Sequence, residues 1–319
     1  MSWFGAEIDG PMIVTRTIHF AASAITAGVL IFRALVAEPA LRSAPAARAI
    51  VTAQILRVAW VSLAMTVASG VIWVLLQAGA MSDVPLREAM SEDILSTVLT
   101  ETQFGMVSDI RLVLAIVLAA CLFFDRLQLA HSLALISGLG LVAGIAWTGH
   151  AGSDADWSNL HLTADVLHLV AAAAWLGGLV PLTLLLSQAL RNEADPWASL
   201  ASQAARRFSM LGIVSVGTIT ATGIVNGWIL VGSFKALVVT EYGRLLMLKI
   251  SLFAVMLVYA AINRFWLTPD LALPSDNEAR LKAMRRLTRN SGIEIALGLI
   301  IFAIVGMLGT LHPAAHFAN

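Results

Sequence analysis

The sequence predicts an all-α, polytopic membrane protein of eight transmembrane helices, built as two parallel four-helix repeats. Hydrophobic residues make up 59% of its 319 residues and charged residues only 13%. An ordinary soluble domain is about half apolar and about a quarter charged. Apolar runs of the ~20 residues that a helix needs to cross a bilayer recur along the whole chain. An internal repeat, described below, is the third observation behind this prediction.

Eight apolar segments are long enough to span a membrane. Lipid offers no hydrogen-bond partner to a free backbone group, and the segments lack strand alternation, so we expect each to be a helix. The polar loop at residues 83–104 is expected to be either a short amphipathic helix or a simple linker. The predicted spans are residues 12–37, 50–78, 104–125, 130–150, 161–188, 208–232, 243–267 and 291–312.

Basic residues are concentrated in every second connection, which indicates the orientation. Such loops face the cytoplasm, so both chain termini are expected on the outer side. The first residues carry Glu7 and Asp9 but no basic residue, so a cleavable signal peptide is not expected. The basic residues of these loops are Arg42, Arg48, Arg126, Arg191, Arg206, Arg207, Arg280, Lys282, Arg285, Arg286 and Arg289.

Several classes of function are disfavoured by composition and motifs. The formal net charge is zero, so no nucleic-acid partner is expected. The single cysteine, Cys121, cannot form an intramolecular disulfide or a CxxC site. The chain has no G-x-S-x-G, Walker A or HExxH pattern. We therefore expect a protein that is not an enzyme.

The two halves of the chain match each other helix by helix. In the first helix of each half a histidine precedes a glycine, and in the second a hydroxyl residue precedes a glycine and then a tryptophan. In the third helix a glycine precedes a basic residue, and in the fourth a glycine precedes a second histidine. The matched sets are His19/Gly28 and His168/Gly177, Ser69/Gly70/Trp73 and Thr222/Gly223/Trp228, Gly105/Arg111 and Gly243/Lys249, and Gly144/His150 and Gly306/His312.

This duplication predicts two domains, residues 1–155 and 156–319. Each contains an even number of helices, so the copies have the same orientation and are related by a pseudo-two-fold axis along the membrane normal. Sites near that axis would be doubled.

Six of the seven histidines map to the outer side of the predicted bundle. His19 and His168 lie on the order of 10 Å below the surface at 1.5 Å per residue, and the repeat makes them symmetry mates that should face each other. Ionisable residues inside a membrane are costly and usually functional. The candidate metal ligands are His19, His168, His150, His312, His161 and His316, with Met247 and Met307 as possible thioether ligands.

Other polar residues inside the spans have a structural interpretation. Asp109 with Arg111, and Arg16 with Asp165, are expected to form ion pairs that neutralise buried charge. Asn226, Lys249 and Glu294 are expected either to bond between helices or to line a polar pathway.

The sequence resembles the copper resistance protein D (CopD/PcoD) family of bacterial inner-membrane proteins. The resemblance implies copper movement across the inner membrane, usually uptake from the periplasm with a small periplasmic partner of the CopC type. Copper would then be the cargo, and both termini would be periplasmic. The resemblance is carried by residues 101–112, 148–151, 167–182, 206–228, 240–269 and the tail from Glu294 through GTLHPAAH at 309–316.

Two alternatives remain open at this point. Paired histidines on neighbouring helices can also ligate haem iron, so a b-type haem electron-transfer protein is the first alternative. Its weakness is that only His131 lies at the inner end. A sensor or scaffold that docks a periplasmic partner without transport is the second.

Overall fold

The fold is a bundle of eight long helices. A computed structural model describes residues 9–149, 158–192, 195–271 and 277–311, and the regular structure of those residues is helical, without a strand. All eight predicted spans are confirmed as helices long and apolar enough to cross a membrane. They are Gly10–Ala40 (α1), Pro45–Ser82 (α2), Gln103–Phe123 (α3), Gln128–Thr148 (α4), Asn159–Arg191 (α5), Pro196–Val231 (α6), Glu241–Asp270 (α7) and Glu278–Leu308 (α8).

Two helices begin well before the predicted spans. The sixth span was predicted from residue 208 and the eighth from residue 291, whereas α6 begins at Pro196 and α8 at Glu278. Hydropathy detects only the apolar part of a helix, but the charged segments ahead of these spans are rich in Ala, Leu, Lys and Arg, which are strong helix formers. The helices therefore continue beyond the apolar core of the bundle.

The loops before α3 and α7 share one capping device. A helix at Glu92–Glu101 precedes α3, which confirms helical structure in that loop, and a helix at Phe234–Val239 precedes α7. The Thr102 and Thr240 hydroxyl oxygens each accept a 3.0 Å hydrogen bond, from the backbone N–H of Gly105 and Gly243 respectively. This N-cap satisfies a backbone donor that the first helical turn leaves free.

The first and fifth helices form the centre of the bundle. α1 packs against α2, α4, α5 and α8, while α5 packs against α1, α4, α6 and α8. The membrane windows of α1 and α5 are 83% and 61% buried, and no other span exceeds 44%. Side chains of α1 and α5 are thus the ones that the fold holds away from lipid.

Gly28 of α1 and Gly177 of α5 bring these two helices into backbone contact. A Cβ atom on Gly28 would collide with the Ala173 carbonyl and the Gly177 backbone, and one on Gly177 would collide with the Ala24 carbonyl. These are the glycines that the sequence comparison matched between the halves. Small residues of this kind permit close helix packing in membranes.

Three helices contain a short π-helical turn, a feature that often marks functional sites. The turns are Arg33–Ala37 in α1, Ala173–Gly177 in α5 and Asn263–Leu267 in α7. Each turn contains a residue whose polar side-chain group lies inside the bundle: Arg33, Trp175 and Asn263.

The first and last helices are joined at one end of the bundle. The Arg16 guanidinium donates a 2.8 Å hydrogen bond to the Gly309 carbonyl, just beyond the end of α8. A Cβ atom on Gly309 would occupy the position of that guanidinium. The start of α1 and the end of α8 therefore lie on the same side of the bundle.

Candidate functional site

The His19 side chain on α1 is 3% exposed and is held by α2. Its Nδ1 atom lies 3.0 Å from Ser69 Oγ. Ser69 Oγ lies 2.6 Å from the Met65 carbonyl oxygen, to which it donates its proton. The hydroxyl must then accept from His19 Nδ1–H, which leaves the lone pair on Nε2. Among the described residues, Nε2 is buried without a hydrogen-bond partner.

His168 on α5 has the same arrangement with α6. Its Nδ1 atom lies 3.0 Å from Thr222 Oγ1, and that hydroxyl donates to the Thr218 carbonyl at 2.6 Å. The same argument fixes the proton on Nδ1 and the lone pair on Nε2. A metal-bound histidine typically donates its other ring N–H in this way, which sets the tautomer and the ring orientation.

A glycine leaves room for each imidazole. A Cβ atom on Gly70, next to Ser69, would lie 3.2 Å from His19 Cε1. One on Gly223, next to Thr222, would lie 3.6 Å from His168 Cε1. The repeated hydroxyl–glycine step therefore has a physical role, because the hydroxyl orients the ring and the glycine makes space for it.

The surroundings of His19 are aromatic. Its ring lies edge-on to Trp73, with centroids 5.2 Å apart, and Trp73 lies 5.2 Å from Phe104. The Arg16 guanidinium lies 5.3 Å from the Trp73 ring centroid, within cation–π distance. The described surroundings of the His19 imidazole are therefore aromatic rings and the Arg16 guanidinium.

The corresponding positions around His168 are polar. Asn226 follows Thr222 by four residues, as Trp73 follows Ser69. Asn226 Nδ2 lies 3.4 Å from Oδ1 of Asp165, which is three residues before His168 on α5. Trp228, which the sequence matched with Trp73, follows Thr222 by six residues, and its side chain is 77% exposed. The two histidine pockets thus differ in chemistry.

The prediction that His19 and His168 face each other does not agree with these contacts. His19 points to α2 and His168 to α6. Nine residues separate His19 from Gly28, which contacts α5. At 3.6 residues per turn this spacing is two and a half turns. The imidazole therefore lies on the face of α1 opposite to α5.

Neither of the two expected ion pairs appears among the residues that the structure describes. Arg111 donates to the Leu141 carbonyl at 3.0 Å and to Ser23 Oγ at 3.3 Å, while Asp109 is exposed. Residues two apart on a helix point in different directions. Arg16 has the Gly309 carbonyl and two aromatic rings as neighbours instead of Asp165.

The remaining candidate ligands do not gather around either imidazole in the part of the chain that the structure describes. His161 is buried on α5, one turn before Asp165. Met307 packs in an apolar cluster with Ile304 and Leu308, and Met247 is half-buried on α7. His150, His312 and His316 lie outside the described residues. Within the described ranges, no three His, Cys, Asp or Glu side chains form a metal-binding group.

Two polar networks contain residues that the sequence analysis did not single out. Near the C-terminal end of α1, Arg33 pairs with Asp125 and Glu38 and contacts His131 Nε2 at 2.8 Å. The available sequence signal was Arg33 itself, a charged residue inside an apolar span.

The second network joins α7 and α8. Glu294 accepts a 2.6 Å hydrogen bond from Asn263 Nδ2, and Asn263 Oδ1 accepts a 2.9 Å bond from Asn290 Nδ2. Glu294, which was expected either to bond between helices or to line a polar pathway, makes an interhelical bond here. Asn263 and Asn290 were not singled out.

Comparisons with known proteins agree on one family. Residues 7–161 match the model described as copper resistance protein D-like, N-terminal domain, and residues 202–308 match copper resistance protein D. Copper resistance protein D of Pseudomonas syringae pv. tomato is 31% identical over 220 residues, covering 67% of this chain and 70% of that protein.

Two further relatives extend the comparison. Inner membrane protein YebZ of Escherichia coli (strain K12) is 28% identical over 302 residues, covering 94% of this chain and 98% of that protein. Copper transport protein CutJ of Bacillus subtilis (strain 168) is 40% identical over 129 residues, which are 40% of this chain and 23% of that protein. No solved structure matches the chain. The chain is a multi-pass membrane protein that belongs to the copper resistance protein D family.

Proposed function

We propose that this protein carries copper across the bacterial inner membrane, from the periplasm inward, with His19 and His168 as ligands. One observation carries the proposal: both imidazoles donate Nδ1–H to a hydroxyl of the neighbouring helix, which leaves the Nε2 lone pair available to a metal. Neutral imidazole nitrogen is a suitable ligand for copper. The Pseudomonas syringae relative is named for copper resistance, and the Bacillus subtilis relative is named for copper transport.

The duplicated architecture is part of this proposal. Its support is that matched residues make matched contacts, with His19–Ser69 repeated as His168–Thr222. In addition, the matched residues Gly28 and Gly177 contact each other. Equivalent residues of two repeats meet only near the axis that relates them. The pseudo-two-fold axis then runs through this glycine contact, with one histidine pocket on each side.

The route begins at the outer face in this scheme. His150, His161, His312 and His316 capture copper delivered by a CopC-type periplasmic protein, and both chain termini lie on that side. The polar pocket of His168, with Asp165 and Asn226, gives an ion a hydrated approach. The aromatic pocket of His19 offers a drier ligand atom. The two pockets would therefore act in succession rather than as equals.

Metal analysis and an absorption spectrum of the purified protein test the proposal. We expect bound copper after exposure to copper salts and no Soret band. A Soret band would favour the b-type haem alternative instead. Copper flux into proteoliposomes that contain only this protein is also expected, and its absence would favour a sensor or scaffold.

Loss of the orienting hydroxyl is expected to weaken copper binding. Ser69→Ala and Thr222→Val each remove the acceptor for Nδ1–H, and loss of such a partner typically lowers metal affinity about 10–100-fold. Ser108→Ala and Thr183→Val are matched controls, because these hydroxyls bond only their own helix backbone. Competition with a copper chelator measures the affinities. Equal affinity in Ser69→Ala, Thr222→Val and wild type would contradict the assignment of both histidines.

A further inference from the structure

Glu294 is a carboxyl group inside the bundle that the copper route described above does not use. Its side chain lies in the middle of α8 and is 1% exposed. Leu308, at the end of α8 near Arg16, is fourteen residues away, which is about 21 Å along a helix. The carboxyl group therefore lies on the far side of the histidines from the proposed entrance.

The neighbours of Glu294 are neutral. Asn263 Nδ2 donates to Oε1 at 2.6 Å, and the Trp175 indole donates to the same carboxyl group. Both neighbours lie in π-helical turns, one in α7 and one in α5. Two donors of this kind hold a carboxyl group in place but supply no positive charge.

No cation faces the carboxyl group from the helices packed around it, so far as the described residues extend. The elements packed against α8 are α1, α5 and α7. The base of α7 next to Asn263 is Arg264, and it donates to Ser209 on α6. On α1, Arg33 is paired with Asp125 and Glu38. An ionised Glu294 would thus be a buried charge without a counter-charge, which is strongly unfavourable.

Two unsatisfied groups stand one helical turn away on the same face of α8. Asn290 Oδ1 and Ser291 Oγ are buried and have no hydrogen-bond partner among the described residues. An amide oxygen can only accept a hydrogen bond, and a carboxylate likewise has no proton to donate. A protonated carboxyl group, in contrast, has one O–H to donate. A proton on Glu294 would remove the uncompensated charge and add one hydrogen-bond donor to this buried polar cluster.

We propose that Glu294 is a proton-binding site in the inner half of the bundle, loaded at neutral pH and emptied and refilled as copper crosses. The proton is carried by the carboxyl oxygen that Asn263 does not bond. The second part of this proposal rests on the proposed copper transport, whereas the first part does not. The coupling ion of transport would then be the proton.

Infrared spectroscopy of the membrane-embedded protein tests the first part. We expect the carbonyl band of a protonated carboxylic acid at neutral pH in wild type and in Glu278→Gln, and its reduction in Glu294→Gln. Glu278 is an exposed glutamate at the start of the same helix, so it controls for the loss of one carboxyl group. Other buried carboxyl groups cancel in the difference spectrum. An unchanged band in Glu294→Gln would overturn the proposal.

Copper flux into proteoliposomes tests the second part. We expect flux to respond to an imposed pH gradient in wild type and in Glu278→Gln, and to lose that response in Glu294→Gln. The same response in all three proteins, or a response to a sodium gradient instead, would overturn proton coupling at Glu294. Absence of copper flux in wild type would refute the proposed transport, and the infrared band would still decide whether Glu294 binds a proton.

Discussion

Cells that produce His168→Ala or His19→Ala are expected to lose copper uptake by this protein completely. Each substitution removes an imidazole Nε2 lone pair that the hydrogen bond on Nδ1 leaves available to a metal. We expect both variants to reach the membrane at normal levels, because alanine is a strong helix former. Copper accumulation, measured against protein abundance in the membrane, gives the result.

A histidine at the opposite end of the bundle provides the control. His131→Ala removes one imidazole near Arg33 and Asp125 and is expected to leave copper uptake intact. Wild-type copper accumulation in both His168→Ala and His19→Ala would refute the proposed ligands. Loss of uptake in His168→Ala alone would limit the ligand role to the polar pocket.

Gly28→Ala is expected to destabilise the bundle by at least about 3 kcal/mol, the upper end of the usual cost of overpacking. The added methyl group meets the backbone of α5, and a backbone cannot move aside as the end of a side chain can. Gly177→Ala is expected to have the same effect, since its Cβ meets the Ala24 carbonyl. Denaturant unfolding in detergent measures the change in stability.

A glycine elsewhere in the bundle is the matched control for this substitution. A Cβ atom on Gly212 of α6 would meet nothing within 4 Å. Gly212→Ala is therefore expected to stabilise the protein by about 0.5–1 kcal/mol, the usual gain of alanine over glycine within a helix. Equal stability of Gly28→Ala and Gly212→Ala would show that α1 and α5 are not in backbone contact.

The helices could be predicted from the sequence more completely than the histidine pockets. Length and hydropathy were sufficient for the eight spans, because only a helix satisfies its backbone within lipid. The repeat singled out His19, Ser69 and their matched residues, since a functional contact that is duplicated leaves the same spacing twice. The direction of the imidazoles required knowing which face of α1 contacts α5, and only the Gly28–Gly177 contact reveals it.

The polar networks were harder to predict for a different reason. Arg33 lies in a span whose high mean hydropathy conceals its charged residues, although a charged residue inside such a span is itself unusual. Asn263 and Trp175 reach Glu294 from π-helical turns, and such a turn shifts the direction of a side chain without a recognisable residue pattern. The ion pair expected for Asp109 and Arg111 failed because proximity in sequence does not give proximity in space.

The contact between Gly28 and Gly177 also bears on how the two halves could diverge. In a symmetric homodimer of four-helix subunits, every change in one histidine pocket would appear in the other. In the duplicated architecture proposed above, both units are joined in one chain, so selection can act on each pocket separately while the contact between Gly28 and Gly177 keeps the units together. Asn226 stands at the position that corresponds to Trp73, and Tyr242 at the position that corresponds to Phe104. A single gene for both units permits differences of this kind.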